Sequence, residues 1–342
     1  MPFRHPPSRS GEGHAVEVTS KTWALAFALV LCCAALALPA AAQPYPSQPV
    51  RLVVAFAPGG GADLVARQIA AQLSEQWGKP VLVENVAGAG GTKGTEAVAK
   101  AAPDGYTLLF ANPAVIAINP SLYPDFKVDP EKDFAPVARV VAVPLLGIVP
   151  AGLPVKNVRE LVELTKANPD GYRYGSGGAG NINQVGVELF KAKTGARLAH
   201  APGKSSSAAI EDLAAGQVHF MMDGAHTVGK HIQAGKLRAL VAFHDRRIQA
   251  MPDVPTAAEA GLGSDLVVSS WFGVVAPSGT PPAVIERLQR ELKKALDSPR
   301  FRESMLSQGS EPAYLDAKAF GEFIAAERRR WREIIQQQGE RK

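Results

Sequence analysis

The chain has 342 residues, with 37 Lys and Arg against 32 Asp and Glu, a formal net charge of +5 and two cysteines. That length is enough for two domains with separate cores. The positive excess is small and scattered, and Arg328-Arg329-Arg330 alternates with acidic and aromatic neighbours on an expected terminal helix, so nucleic acid is excluded as a partner.

In chain order the first element is an export signal, residues 1–42. Arg4, Arg9 and Lys21 supply positive charge, Thr22 to Leu38 form the apolar stretch, and Ala40-Ala41-Ala42 offers small residues to a signal peptidase. The apolar run is short of the ~20 residues of a comfortable spanning helix. Cleavage after Ala42 is therefore expected over the rival reading, an uncleaved anchor. Cys32 and Cys33 fall inside the run, behind Leu31, where lipid attachment prefers a small residue. A chain cut after Ala42 keeps no cysteine and needs no disulfide.

After a Pro-rich lead, Val50 to Ala57 is expected as a strand, Pro58 to Gly61 as a loop and Asp63 to Trp77 as a helix. The unit repeats with strand Val81 to Glu84, loop Gly88 to Gly91, helix Thr95 to Ala101 and strand Thr107 to Ala111. This alternation argues for an α/β architecture with a mostly parallel sheet. The apolar stretch Val137 to Val149 carries the chain into a second set of units. There the expected helices are 158–168, 183–194, 208–215 and 227–234, and the expected strands 172–175, 218–222 and 237–242. Trp271 to Pro277 is a further strand. Three helices close the chain, at 282–297, 299–308 and 317–338, with no new strands among them.

Three Gly-rich loops stand at strand-to-helix junctions: Ala57 to Asp63, Gly88 to Thr92 and Ser176 to Asn181. Glycines let a ligand approach the backbone, and the first amides of a helix lack intrahelical acceptors, so such loops favour carboxylates or phosphates. More specific chemistry is missing. Pro202-Gly203-Lys204-Ser205 ends like a phosphate-binding loop but has Leu198 at its leading glycine, and Lys93 replaces the third glycine of a dinucleotide-like pattern that begins at Gly88. His200, His219, His226, His231 and His244 show no zinc spacing. Ser205, Ser206 and Ser207 lack a nucleophile elbow and read as a helix-starting or binding cluster. No cofactor, metal or catalytic residue is expected.

Eight segments, met in order, carry a resemblance. They are Tyr45 to Arg51, Phe56 to Gly60, Glu84-Asn85 with Gly88 to Gly91, Ala102 to Leu108, Ile118 to Tyr123, Ala234 to Leu240, Met251 to Thr256 and Ser270 to Gly273. Through them the chain resembles the solute-binding proteins of tripartite tricarboxylate transporters, the Bug family. The resemblance implies a type II periplasmic binding protein: two α/β domains, 43–145 plus 269–342 and 146–268, with the ligand cleft between them. It further implies a non-enzymatic, monomeric periplasmic protein that captures a small organic carboxylate for membrane permease subunits. A carrier that presents its ligand to a membrane sensor is the alternative.

Carried over by position, the ligand-binding set is Pro58, Gly59, Gly60, Asp63, Ser176, Gly180, Asn181, Gly203 and Asp223. Gly59 and Gly60 are the better carboxylate contacts. Asp63 is expected to order its helix start, since a bare carboxylate repels the ligand's own. The chain also departs from the family pattern. Gly61 and Ala62 replace serine and threonine before Asp63. Asn181, Gln184, Gly203, Ser205 and Gly224 stand where threonine, histidine, tyrosine, glycine and asparagine are common.

Overall fold

A computed structural model describes residues 45–123, 125–264 and 266–339; the expected signal over 1–42, with Cys32, Cys33 and the cut after Ala42, lies outside the described residues. Strand β1 (Val50–Val54) is apolar without alternation except at exposed Arg51, because both of its faces are covered. Val50, Leu52 and Val54 join one buried cluster with helix α1 (Gly61–Trp77), while Val53 joins another with Leu109 and Phe320. α1 buries Val65, Ala66, Ile69 and Leu73 along one stripe and ends where the Gly78 amide returns to the Ser74 carbonyl. Strand β2 (Val81–Asn85), helix α2 (Thr92–Ala99) and strand β3 (Thr107–Ala111) follow, and β1 pairs in parallel with both β2 and β3.

The expectation of a mostly parallel sheet is corrected from this point on. Strand β9 (Ser269–Pro277) lies between β3 and the 17-residue β4 (Phe134–Pro150), antiparallel to both, and β10 (Glu311–Leu315) pairs antiparallel with β4 at the edge. Parallel neighbours need a crossover connection. The chain supplies such crossovers among β1, β2 and β3, whereas β9 returns from a long excursion running the other way.

β4 changes partners along its length. Phe134 to Pro144 pair with β9, with Pro144 opposite Ser269. Leu145 to Pro150 pair instead with β7 (Met221–Gly224) and β8 (Leu237–Ala242). Around this second half lie helix α3 (Val158–Ala167), strand β5 (Arg173–Ser176), helix α4 (Ile182–Thr194), strand β6 (Ala199–Pro202), helix α5 (Ser206–Ala214) and helix α6 (Ala225–Gln233). β5 and β6 form a separate parallel pair. Two buried clusters fill this half, one around Phe190, Phe220 and Phe243 and one around Leu146, Ile148 and Leu213.

Helices α7 (Pro282–Asp297), α8 (Pro299–Ser307) and α9 (Ala317–Gly339) close the chain. α7 buries Ile285, Leu288, Leu292 and Ala295 in the cluster shared by β1 and α1. The expectation that no strand accompanies these helices is corrected by β10. That strand and β6 escape the pattern because they are short, only partly buried and without an apolar alternation; each also contains a proline, Pro312 and Pro202. A Pro in a strand suits an edge.

Candidate ligand cleft

Loops following β1, β2, β5 and β6, the turn between β7 and α6, the middle of β4 and the start of β9 enclose a cleft of about 340 Å³. Strand-to-helix junctions are where open α/β folds place their ligands, and the volume suits a small molecule. Val143 and Leu145 of β4 and Phe272 of β9 supply apolar lining where β4 changes partners, and Lys204 and Asp223 bring the charge-bearing groups.

Gly60, Asn181, Gly203 and Asp223 line this space, whereas Pro58, Gly59, Asp63, Ser176 and Gly180 are not among its lining residues: Pro58 and Gly59 are exposed, and Asp63, Ser176 and Gly180 are buried. Asp63 is 3% exposed and ties the first loop together. Its carboxylate accepts from the Gly59 amide at 2.9 Å and from Asn85 at 3.0 Å, and it pairs with Arg67 at 2.8 Å. Burial alone would raise its pKa; the bonds from Arg67, Gly59 and Asn85 outweigh that and hold it below the usual range. Gly59 makes this turn at φ 80°, in the left-handed region that favours glycine.

The N-cap of α1, Gly60, has no side-chain cap, and Gly60, Gly61 and Ala62 all face the cleft. The first-turn amides of α1 therefore lack a capping side chain. α4 and α5 differ: Asn181 Oδ1 accepts from the Asn183 amide at 3.3 Å, and Ser205 Oγ accepts from the Ala208 amide at 3.1 Å.

Ser176 is fully buried, and its hydroxyl is 2.7 Å from His200 Nε2 and 3.2 Å from the Gly178 amide. His200 stacks on the Tyr174 ring, and burial lowers its pKa. This Ser–His contact shapes the third loop away from the cleft and does not aim a nucleophile into it. Gly180 donates its amide to Gln184 Oε1 at 3.1 Å; a Cβ there would lie 2.8 Å from Leu122.

The segment 118–123 braces the second loop against the third. Asn119 Nδ2 donates to the Gly90 carbonyl at 2.9 Å, and the Tyr123 hydroxyl donates to the Ala179 carbonyl at 3.0 Å. Tyr123, Asn112, Asn183, Phe272 and His226 are lining residues that sequence reasoning missed, and it had weighed His226 only as a zinc ligand. None sits in a glycine loop; Tyr123 and Phe272 fall in segments that carry the family resemblance, but nothing local marks them, Asn112, Asn183 or His226 as facing the cleft. Among the described residues there is no group of three or more His, Cys, Asp or Glu able to hold a metal, and no helix long and apolar enough to cross a membrane.

A family profile described as the tripartite tricarboxylate transporter family receptor matches residues 65–340. Protein BugT of Bordetella pertussis is 36% identical over 312 residues, which cover 91% of this chain and 95% of BugT. Rpa4515 of Rhodopseudomonas palustris, solved with adipate, is 33% identical with a TM-score of 0.83, covering 86% of this chain and 98% of that one. MatC of the same organism, solved with bound malate, is 31% identical with a TM-score of 0.79 over 85% of this chain and 100% of MatC. Matches of this identity and extent mean that the chain belongs to the tripartite tricarboxylate transporter receptors, the Bug family, and is a periplasmic solute-binding protein rather than an enzyme.

Proposed function

We propose that this protein captures a small organic carboxylate at the open start of α1 and delivers it, as a monomer, to the membrane permease subunits of a tripartite tricarboxylate-type transporter. The observation that carries the reading is the uncapped first turn of α1, with Gly60, Gly61 and Ala62 on the cleft. Free amides at the positive end of a helix dipole favour an anion. Asn181 and Gly203 face it from other walls, while Pro58, Gly59, Asp63, Ser176 and Gly180 shape the loops. The adipate and malate of the two solved relatives are both dicarboxylates, in keeping with this chemistry.

The division into 43–145 plus 269–342 and 146–268 is part of the same proposal. Its support is the exchange of partners by β4 between Pro144 and Leu145, at the edge of the cleft. Closure of two such halves around a ligand is the event a permease detects.

Calorimetry with succinate and adipate against their neutral diamides tests the reading, after native mass spectrometry has shown the protein to be free of carried-over ligand. An acid should bind at least about tenfold more tightly than its diamide, because charge-assisted hydrogen bonds to main-chain amides exceed neutral ones. Folded Gly60→Trp should lose binding. Equal affinity for acid and diamide sinks the carboxylate reading, and full affinity in Gly60→Trp sinks the location.

A further inference from the structure

β5 and β6 pair in parallel, with Tyr174 opposite His200 and Ser176 opposite Pro202. Side chains two apart on a strand share a face, so Tyr174, Ser176 and His200 meet on one side of the pair. The His200 ring stacks on Tyr174 with 4.7 Å between centroids. Tyr174 in turn donates its hydroxyl to Glu188 of α4, which pairs with Lys191 at 3.0 Å. Held in this way, the imidazole has Nε2 at 2.7 Å from the Ser176 hydroxyl. Burial lowers the His200 pKa, an effect that Glu188 opposes and Lys191 reinforces, so at neutral pH the ring is uncharged and has a lone pair to offer.

The hydroxyl proton of Ser176 has two acceptors in reach, His200 Nε2 at 2.7 Å and the Gly178 carbonyl at 3.3 Å. Donation to the nearer one leaves the oxygen lone pairs for the Gly178 amide, 3.2 Å away. Two residues on, Gln184 Oε1 takes the Gly180 amide at 3.1 Å. The amides of Gly177 and Ala179 have no acceptor among the described residues, and both residues line the cleft. Alternate amides of the third loop are thus held by the protein, and the ones between them are left for whatever occupies the cleft. Ser176, His200 and Gln184, which decide this, are not themselves lining residues.

We propose that His200 is a positioning residue for ligand capture: acting through Ser176, it draws the Gly178 amide away from the cleft so that the flanking Gly177 and Ala179 amides are presented to a carboxylate. This rests on the carboxylate reading of the cleft and adds a second set of main-chain donors to those at the start of α1. Without the imidazole, the Ser176 proton turns to the Gly178 carbonyl, and the bond that sets the facing of the loop is lost. Hydrogen bonds weaken steeply with misalignment, and those to an ionised acceptor are the stronger ones. A loop that turns therefore gives up more affinity for an acid than for its neutral analogue.

The test is calorimetry with succinate, adipate and their diamides, on wild type and on variants whose folding is checked by circular dichroism. Ser176→Ala, and His200→Phe, which keeps a ring on Tyr174, should each weaken binding of the acid about three- to tenfold, the effect of about one net hydrogen bond. Both should also lower the preference for acid over diamide, which a loss of stability alone does not move. His200→Gln, whose side-chain amide reaches the place of Nε2, should keep most of the affinity and of the preference. In the double variant Ser176→Ala with His200→Phe the losses should not add, because one residue acts through the other. The proposal is overturned, with the carboxylate reading intact, by wild-type affinity in His200→Phe, by His200→Gln losing as much as His200→Phe, or by additive losses in the double variant. Should His200→Phe not fold, unchanged acid affinity in Ser176→Ala overturns it. A wild type that binds neither acid, or binds acid and diamide equally, removes the carboxylate reading and this inference with it.

Discussion

Asp223 and His226 pull the pH profile of stability in opposite directions. Burial lifts the Asp223 carboxyl to about 6, against the hydrogen bonds from Gly224, Thr227 and Asn183, and burial drops His226 to about 4, offset in part by the Gly61 main chain. The native state holds the Asp223 proton more firmly than the unfolded chain does. Its contribution is complete below about 4 and is lost as pH rises through 6. The native state releases the His226 proton more readily, so that contribution is complete above 6.5 and is lost as pH falls through 4. Relative to wild type, Asp223→Asn should therefore gain stability as pH rises from 4 to 7, whereas the His226→Gln difference should decline over the same range. Each drift should be on the order of 3 kcal/mol, at about 1.4 kcal/mol per pKa unit. Urea unfolding across that range measures both; differences that stay constant with pH would show that neither group is buried in its charged form at a cost.

Among the elements, the glycine loops share a sequence signature but differ in how they are held. The first is drawn together by Asp63, which stands in the first turn of α1 and reaches back to the Gly59 amide while binding Arg67 and Asn85. The third has Asn181 as the N-cap of α4, with one bond to the Asn183 amide. Asp63→Ala should cost about 2 to 4 kcal/mol, since hydrogen bonds to a charged group are each worth about 1.5 to 3 and its partners are left without their acceptor. Asn181→Ala should cost about 1 kcal/mol, a typical loss for an N-cap. Chemical denaturation of both variants decides the order, and equal costs would contradict a tying role for Asp63. That Asp63 orders a helix start was legible from its place behind three glycines. That it does so through Gly59, Arg67 and Asn85 was not, because Asn85 arrives from the next strand.

For the whole molecule, α9 links cores that lie far apart in the sequence. Phe320 and Ile324 join the cluster of Val53, Leu109 and Trp271, whereas Trp331 joins the cluster of Leu145, Val149 and Phe190. Between them Glu327 is 8% exposed, and its Oε2 accepts from the indole of Trp271 at 3.0 Å and from that of Trp331 at 3.2 Å. Glu327→Ala leaves two buried indole N–H groups unsatisfied and should cost about 2 to 6 kcal/mol, at about 1 to 3 for each stranded donor. Glu327→Gln keeps an acceptor and should cost less. Thermal unfolding of the pair measures the difference, and equal losses would show that volume at 327, not the acceptor, matters.

The sequence by itself determined the family, the α/β class and most of the helices, because these depend on ordered motifs, on periodicity within a dozen residues and on Pro and Gly at element ends. The Gly-rich loops were legible for the same local reason. Tertiary structure decided that β9 and β4 run against each other, that β10 joins the edge, and that Gly60 faces the cleft while Ser176 turns inward to His200. It also brought His226 against Gly61, 165 positions earlier in the chain. Strand direction, the facing of a loop and the room left by a missing Cβ are set by contacts between distant segments, so no local pattern in the chain encodes them.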